Sequence, residues 1–241
     1  MNIGFSTNCF PKSLKEDPED LLGKLLALDT NAIELHLPDD LRLISKHKDL
    51  LRNFEFRSVH LPSDIEYKNN RIIQAILNEV DAIHDLDINI HAAVVHPDIV
   101  NPEKINQFTD RSVTFCFENM DIDKKTGRSV YELLGLFSCV EKLPSIVLDL
   151  NHLWTCLNSL ILKPMPLDEV VQEFAEYFDI SHIHVSDFGI GKHTPFSRHQ
   201  YPDKSIVNAC PRDKAVIIES QVWDLQEAEA ELRFIQDNLL L

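Results

Sequence analysis

Eight short runs rich in β-branched and aliphatic residues recur along the 241-residue chain, and stretches with helical spacing of apolar residues separate most of them. The runs are Asn2–Phe10, Ala32–Leu37, Arg57–Leu61, His91–His96, Val113–Glu118, Ile146–Leu150, His182–Val185 and Ala215–Glu219. Strands that are apolar on both faces and joined through helices belong in a parallel sheet with covered faces. Eight such units in this length predict a single α/β domain over residues 1–241, a closed (β/α)8 TIM barrel. Asp17 ahead of Pro18 marks a helix start, as N-cap followed by proline at the first helical position. Leu225, Ala228, Leu232, Ile235 and Leu239 step by three and four along one helix face. The seventh unit is irregular: residues 188–213 read as a long polar loop in place of a helix.

Composition narrows the partners. The 23 basic and 39 acidic side chains leave a net charge of −16, which repels phosphate backbones and disfavours duplex nucleic acid. Six glycines, against roughly 17 at average usage, include neither GxGxxG nor GxxxxGK[ST], so nucleotide phosphate cradles have no support. No apolar run reaches the roughly 18 residues of a membrane span, and the opening MNIGFSTNCFPK lacks a signal-peptide pattern. Five cysteines without a CxxC pair suit a reduced, cytoplasmic chain, with Cys116 and Cys139 expected as buried apolar residues.

In a barrel of this kind the chemistry sits at the C-terminal ends of the strands. From the third run to the eighth, those ends carry His60, His96, Glu118, Asp149, His184 and Glu219. Each alone reads most simply as a structural histidine or a helix cap. Six converging on one barrel mouth cannot all be desolvated without cations to neutralise the carboxylates and coordinate the imidazoles. Imidazole and carboxylate with no thiolate suit Zn²⁺, Mn²⁺, Fe²⁺ or Co²⁺. Of Glu34 and His36 on the second strand, at most one is expected to face the pocket.

These residues resemble the xylose isomerase-like TIM-barrel superfamily, in particular its endonuclease IV (AP endonuclease family 2) branch, over essentially the whole chain. The VHLP, VHPD and ENM segments match motifs that hold one zinc in that branch, which implies His60, His96 and Glu118 as ligands. A second zinc would share Glu118 and add Asp149 of LDLNH, His184 of HVSD and Glu219. A third would use His152 with a loop histidine, either His193 or His199. The branch's DRH loop is here Ser197-Arg198-His199, with serine in place of aspartate. With His199 as the loop ligand, His193, Arg198 and Asp187 fall to the substrate; Asp187 could equally orient a ligand histidine. Lys192 and Arg198 are the cations of the loop's first half.

The resemblance implies two activities. One is phosphoester hydrolysis in a small, sugar-phosphate-like substrate by two or three zinc ions bridged through Glu118. The other is sugar or sugar-phosphate isomerisation or epimerisation, with one Mn²⁺, Mg²⁺ or Co²⁺ and with Glu118 and Glu219 as the proton-moving pair. An abasic-site endonuclease is disfavoured by the charge and by Asp64 and Glu66, which follow His60 where that branch grips DNA. A non-catalytic metal-binding barrel is the plainest alternative. Trp154 and Trp223 are expected to line the pocket or close the rim.

Overall fold

A computed structural model describes residues 1–109, 111–187, 193–199 and 204–239. Its eight strands are β1 (Ile3–Ser6), β2 (Ala32–His36), β3 (Phe56–His60), β4 (Ala92–Val95), β5 (Phe115–Glu118), β6 (Ser145–Asp149), β7 (Ile180–Val185) and β8 (Ala215–Ile218). All pair in parallel and in chain order, and β8 returns to β1 to close the barrel. The predicted α/β barrel is the observed one.

Alternation along each strand divides the core. Ile33, Leu35, Val59, Ala93, Val95, Phe117, Leu148 and Ile183 belong to the large outer core, packed with helix residues such as Leu22, Leu25, Ile73 and Leu77. Burying one such side chain stabilises by about 1.5–3 kcal/mol. The inward set is different: Ala92, Val94, Cys116 and Val147 form a small separate plug, with Phe56 packed against it. Glu34, Ser58, His182 and His184 are also fully buried. The barrel interior therefore has a thin apolar floor and a polar upper half.

Register sets the height of the polar residues. His36 stands opposite His60, and Asp149 opposite His184. At the β1–β2 seam the backbones approach so closely that a Cβ on Gly4 would lie 1.6 Å from the Ala32 carbonyl oxygen.

The helix signals hold. Asp17 accepts from the Asp20 amide at the start of Pro18–Ala27, and Leu225–Leu239 is one helix with Ala228, Leu232, Ile235 and Leu239 buried. The seventh unit corrects the loop reading in part. Phe196–Arg198 forms a 3-10 turn and Lys204–Asn208 a short helix, while Lys192 lies outside the described residues. Glu231 of the last helix anchors the turn, accepting from the Phe196 and Ser197 amides at 3.0 Å each. Cys116 is buried but Cys139 is exposed, against expectation, and all five cysteines are free. Among the described residues no helix is long and apolar enough to cross a membrane.

Candidate metal centre

The strand ends deliver their polar side chains to one mouth. His60 and Glu118 are the last residues of β3 and β5, and His96 and Glu219 directly follow β4 and β8. Asp149 ends β6 and caps the helix Leu150–Asn158, accepting from the His152 amide at 3.0 Å. Asn119 fixes that corner: its side chain donates to the Asp149 carbonyl at 3.0 Å and accepts from the Asp149 amide at 2.7 Å.

Glu118 is the centre of the arrangement. Its Oε2 lies 3.3 Å from His60 Nε2 and 3.0 Å from His96 Nε2, while its Oε1 lies 3.1 Å from His184 Nδ1. His184 Nδ1 is also 3.4 Å from Glu219 Oε1. These separations exceed the about 2.7–2.9 Å of a charge-assisted N–H···O bond. They match the edge of a coordination shell, since two ligands about 2.0–2.1 Å from zinc stand roughly 3.3 Å apart across a tetrahedron. Three sets of side chains bring their donor atoms within 4.8 Å of one another: His60, His96 and Glu118; Glu118, Asp149, His184 and Glu219; and Asp149, His152 and His193. Asp149 Oδ2 is buried without a hydrogen-bond partner, as an oxygen placed for a cation would be. The residues present fit divalent metal.

Each key imidazole is oriented from behind. His60 Nδ1 donates to the Leu61 carbonyl at 2.8 Å, which leaves Nε2 for the pocket. His152 Nδ1 donates to the Asn119 carbonyl at 2.8 Å, with its Nε2 3.4 Å from Asp149 Oδ2. Such backing fixes the tautomer that a metal ligand needs.

The electrostatics point the same way. Burial pushes the Glu118 carboxyl up, but His184, His60 and His96 overcome it and hold the group well below the ordinary carboxylate value. Burial pushes His60 down, yet the Glu118 hydrogen bond and the charges of Glu34, Glu118 and Glu219 raise it to about 9. His184 is likewise raised well above its ordinary value, by Glu219, Glu34 and Glu118 against burial. The carboxylates call for positive charge, and the imidazoles supply it as protons where no ion does. Glu219 is raised, chiefly by burial.

Several expectations need correction. His193, not His199, joins Asp149 and His152: its Nδ1 is 3.0 Å from Ser186 Oγ and 3.7 Å from Glu219 Oε2. His199 instead pairs with buried Asp187, Nδ1 to Oδ2 at 2.6 Å, so Asp187 serves the loop and is not turned to a substrate. Arg198 is engaged away from the pocket by Glu227, at 2.6 and 2.7 Å, and lies 3.8 Å over the exposed Trp223 ring. Trp154 lines a separate hollow with Met165 and Leu167.

Both Glu34 and His36 face inward, because residues two apart on a strand share a face. His36 stands on the wall of the metal-site cavity, a space of about 280 Å³ whose lining includes His60, His96, Glu118, His152, His193 and Glu219. Glu34 lies beneath it. The simple period-two count along Glu34-Leu35-His36 was the signal that identifies them.

A closed parallel barrel whose strand ends carry overlapping carboxylate–imidazole sets defines the structural class. No protein-family model matches the sequence, and no curated relative does. Solved structures share the fold. Endonuclease IV from Thermus thermophilus superposes with a TM-score of 0.72 at 16% identity, over 100% of this chain and 99% of that one. D-psicose 3-epimerase from Clostridium cellulolyticum, solved with D-tagatose, gives 0.66 at 13% identity, over 99% of each chain. The AP endonuclease, family 2, from Brucella melitensis gives 0.60 at 13% identity, over 98% of each. The chain thus has the architecture common to endonuclease IV and to sugar epimerases.

Proposed function

We propose that this chain is a metal-dependent hydrolase of the endonuclease IV-like branch, acting on a phosphoester in a small, sugar-phosphate-like substrate. The observation that carries the reading is that the two oxygens of Glu118 face different imidazole sets, which is the geometry of a bridging ligand. His60, His96 and Glu118 would hold one ion; Glu118, Asp149, His184 and Glu219 a second; and Asp149, His152 and His193 a third. Zinc suits this donor set. Divalent ions so held supply Lewis acidity and a water that ionises near neutral pH.

The chain's own residues do the rest. Glu118 keeps two sites at a fixed separation, Asn119 and the helix start hold Asp149 in place, and the cavity wall of His36 and His60 excludes bulk water from one side. A cavity of about 280 Å³ fits a small molecule. Exposed Asp64 and Glu66 beside the mouth, with the net charge of −16, argue against a duplex nucleic acid as partner.

A second reading, sugar isomerisation or epimerisation, has one observation of its own. Glu118 is held low while Glu219 is raised, so the pair divides naturally into base and acid across the same imidazole. It would need one ion, held by Glu118, Asp149, His184 and Glu219, with His60 and His96 contacting sugar hydroxyls.

Elemental analysis of untagged, chelator-free protein decides between them. Two or three zinc-like ions per chain, with phosphate released from a sugar-phosphate panel, support hydrolysis. One exchangeable manganese or magnesium ion, with ketose–aldose turnover, replaces it with the second reading.

A further inference from the structure

Below the metal pocket, Glu34 sits in the middle of the barrel with no exposed surface. Its Oε2 accepts from Ser58 Oγ at 2.8 Å and lies 3.2 Å from His184 Nε2 and 3.4 Å from His182 Nε2, drawing together β2, β3 and β7. Its other oxygen, Oε1, is buried without a hydrogen-bond partner. A carboxylate kept there only to fill space is a poor choice, because a neutral amide or an apolar side chain of similar size avoids the desolvation of a charge. His184 explains it. Nδ1 of His184 faces the two carboxylates Glu118 and Glu219, at 3.1 and 3.4 Å. A neutral imidazole has one lone pair, so if Nδ1 is to donate that pair, Nε2 must carry the hydrogen and needs an acceptor. Glu34 Oε2 is that acceptor.

We propose that Glu34 is the positioning residue of the metal centre: it fixes His184 in the Nε2–H tautomer, aims Nδ1 at the pocket, and makes the ring a stronger donor through its negative charge. The inference rests on the metal-centre reading above and names the residue on which its second site depends. Ser58, opposite Glu34 in the β2–β3 register, holds the carboxylate in its rotamer. His182 shares Glu34 but is turned away from the pocket.

The test compares wild type with Glu34→Gln and His182→Asn, each stripped of metal and titrated with Co²⁺ against a competing chelator. Glu34→Gln should weaken the ion held through His184 by about 10–100-fold, the usual effect of losing an orienting partner, and leave the ion at His60 and His96 in place. His182→Asn should bind as wild type does. The ion-free melting temperature of Glu34→Gln should equal or exceed that of wild type, since a buried charge is removed. Wild-type affinity combined with a lowered melting temperature would mark Glu34 as structural and overturn the proposal. Should Glu34→Gln fail to fold, nitrogen-15 shifts of His184 in the zinc-loaded wild type give the same answer: Nε2 protonated and Nδ1 coordinated is expected, and the reverse overturns it. Wild-type protein that takes up no ion would instead sink the metal-centre reading itself.

Discussion

His36 lies flat against His60, with ring centroids 4.7 Å apart and planes 5° from parallel. The two stacked imidazoles titrate far apart. Burial, with the neighbouring His60, takes His36 down to about 3, whereas the carboxylates around His60 overcome burial and take it up to about 9. Near neutral pH the ion-free stack therefore holds one proton, on His60.

That division predicts the pH dependence of the ion-free chain. His60 is raised, so its contribution is complete below the ordinary histidine value of about 6.5 and is lost as pH climbs through about 9. His36 is depressed, so its contribution is present above that ordinary value and is lost as pH falls towards about 3. Stability should peak near the ordinary histidine value and decline on the alkaline side. With zinc present the alkaline slope should reverse, because the metal displaces the His60 proton. Urea unfolding with and without chelator between neutral and alkaline pH measures both slopes; two parallel curves would contradict the proton–metal competition.

Glu118→Gln removes charge from both sites that Glu118 joins. Turnover should fall by roughly 10²–10⁴-fold under either enzymatic reading, if only through lost acid–base action, and at least one ion should leave. Retained turnover would exclude both. His60→Ala discriminates: metal content drops if a site stands on His60 and His96, and stays constant, with KM raised, if those residues contact a sugar.

His193→Ala and His199→Ala should part company. The first should reduce occupancy of the third ion, because His193 faces Asp149 and His152. The second should leave metal content unchanged and loosen the turn at Phe196–Arg198, since His199 is paired with Asp187. Elemental analysis of both variants, with amide exchange at residues 196–199, is the measurement. Equal metal loss in the two would return His199 to the ligand set.

Gly4→Ala should disrupt the β1–β2 seam, where the added carbon would overlap the Ala32 carbonyl. Overpacking of this kind costs about 1–3 kcal/mol or more. A urea midpoint within error of wild type would show that the seam can open.

The sequence made the barrel legible because every β–α unit repeats the same apolar alternation, and because His60, His96, Glu118, Asp149, His184 and Glu219 recur at one position in each unit. Glu34 and His36 were legible in principle by the same alternation. The loop residues were not. Arg198 meets Glu227 and Phe196 meets Glu231, each across about thirty positions of chain, so no local pattern announces them. The choice between His193 and His199 hangs on those anchors, and on the Gln221 amide that holds the His193 carbonyl at 2.7 Å. Cys139 is exposed on a helix end that local apolarity did not distinguish from core.

The inner plug of Ala92, Val94, Cys116 and Val147 reaches only partway up the barrel. Above it, cohesion between opposite walls passes through charged and imidazole groups, where another protein would have leucine and valine. On the reading proposed here, the ions are then the upper half of the core. A cell that runs short of zinc would lose this protein by proteolysis of the loosened barrel as well as by idleness of the enzyme, and its abundance would follow the metal supply.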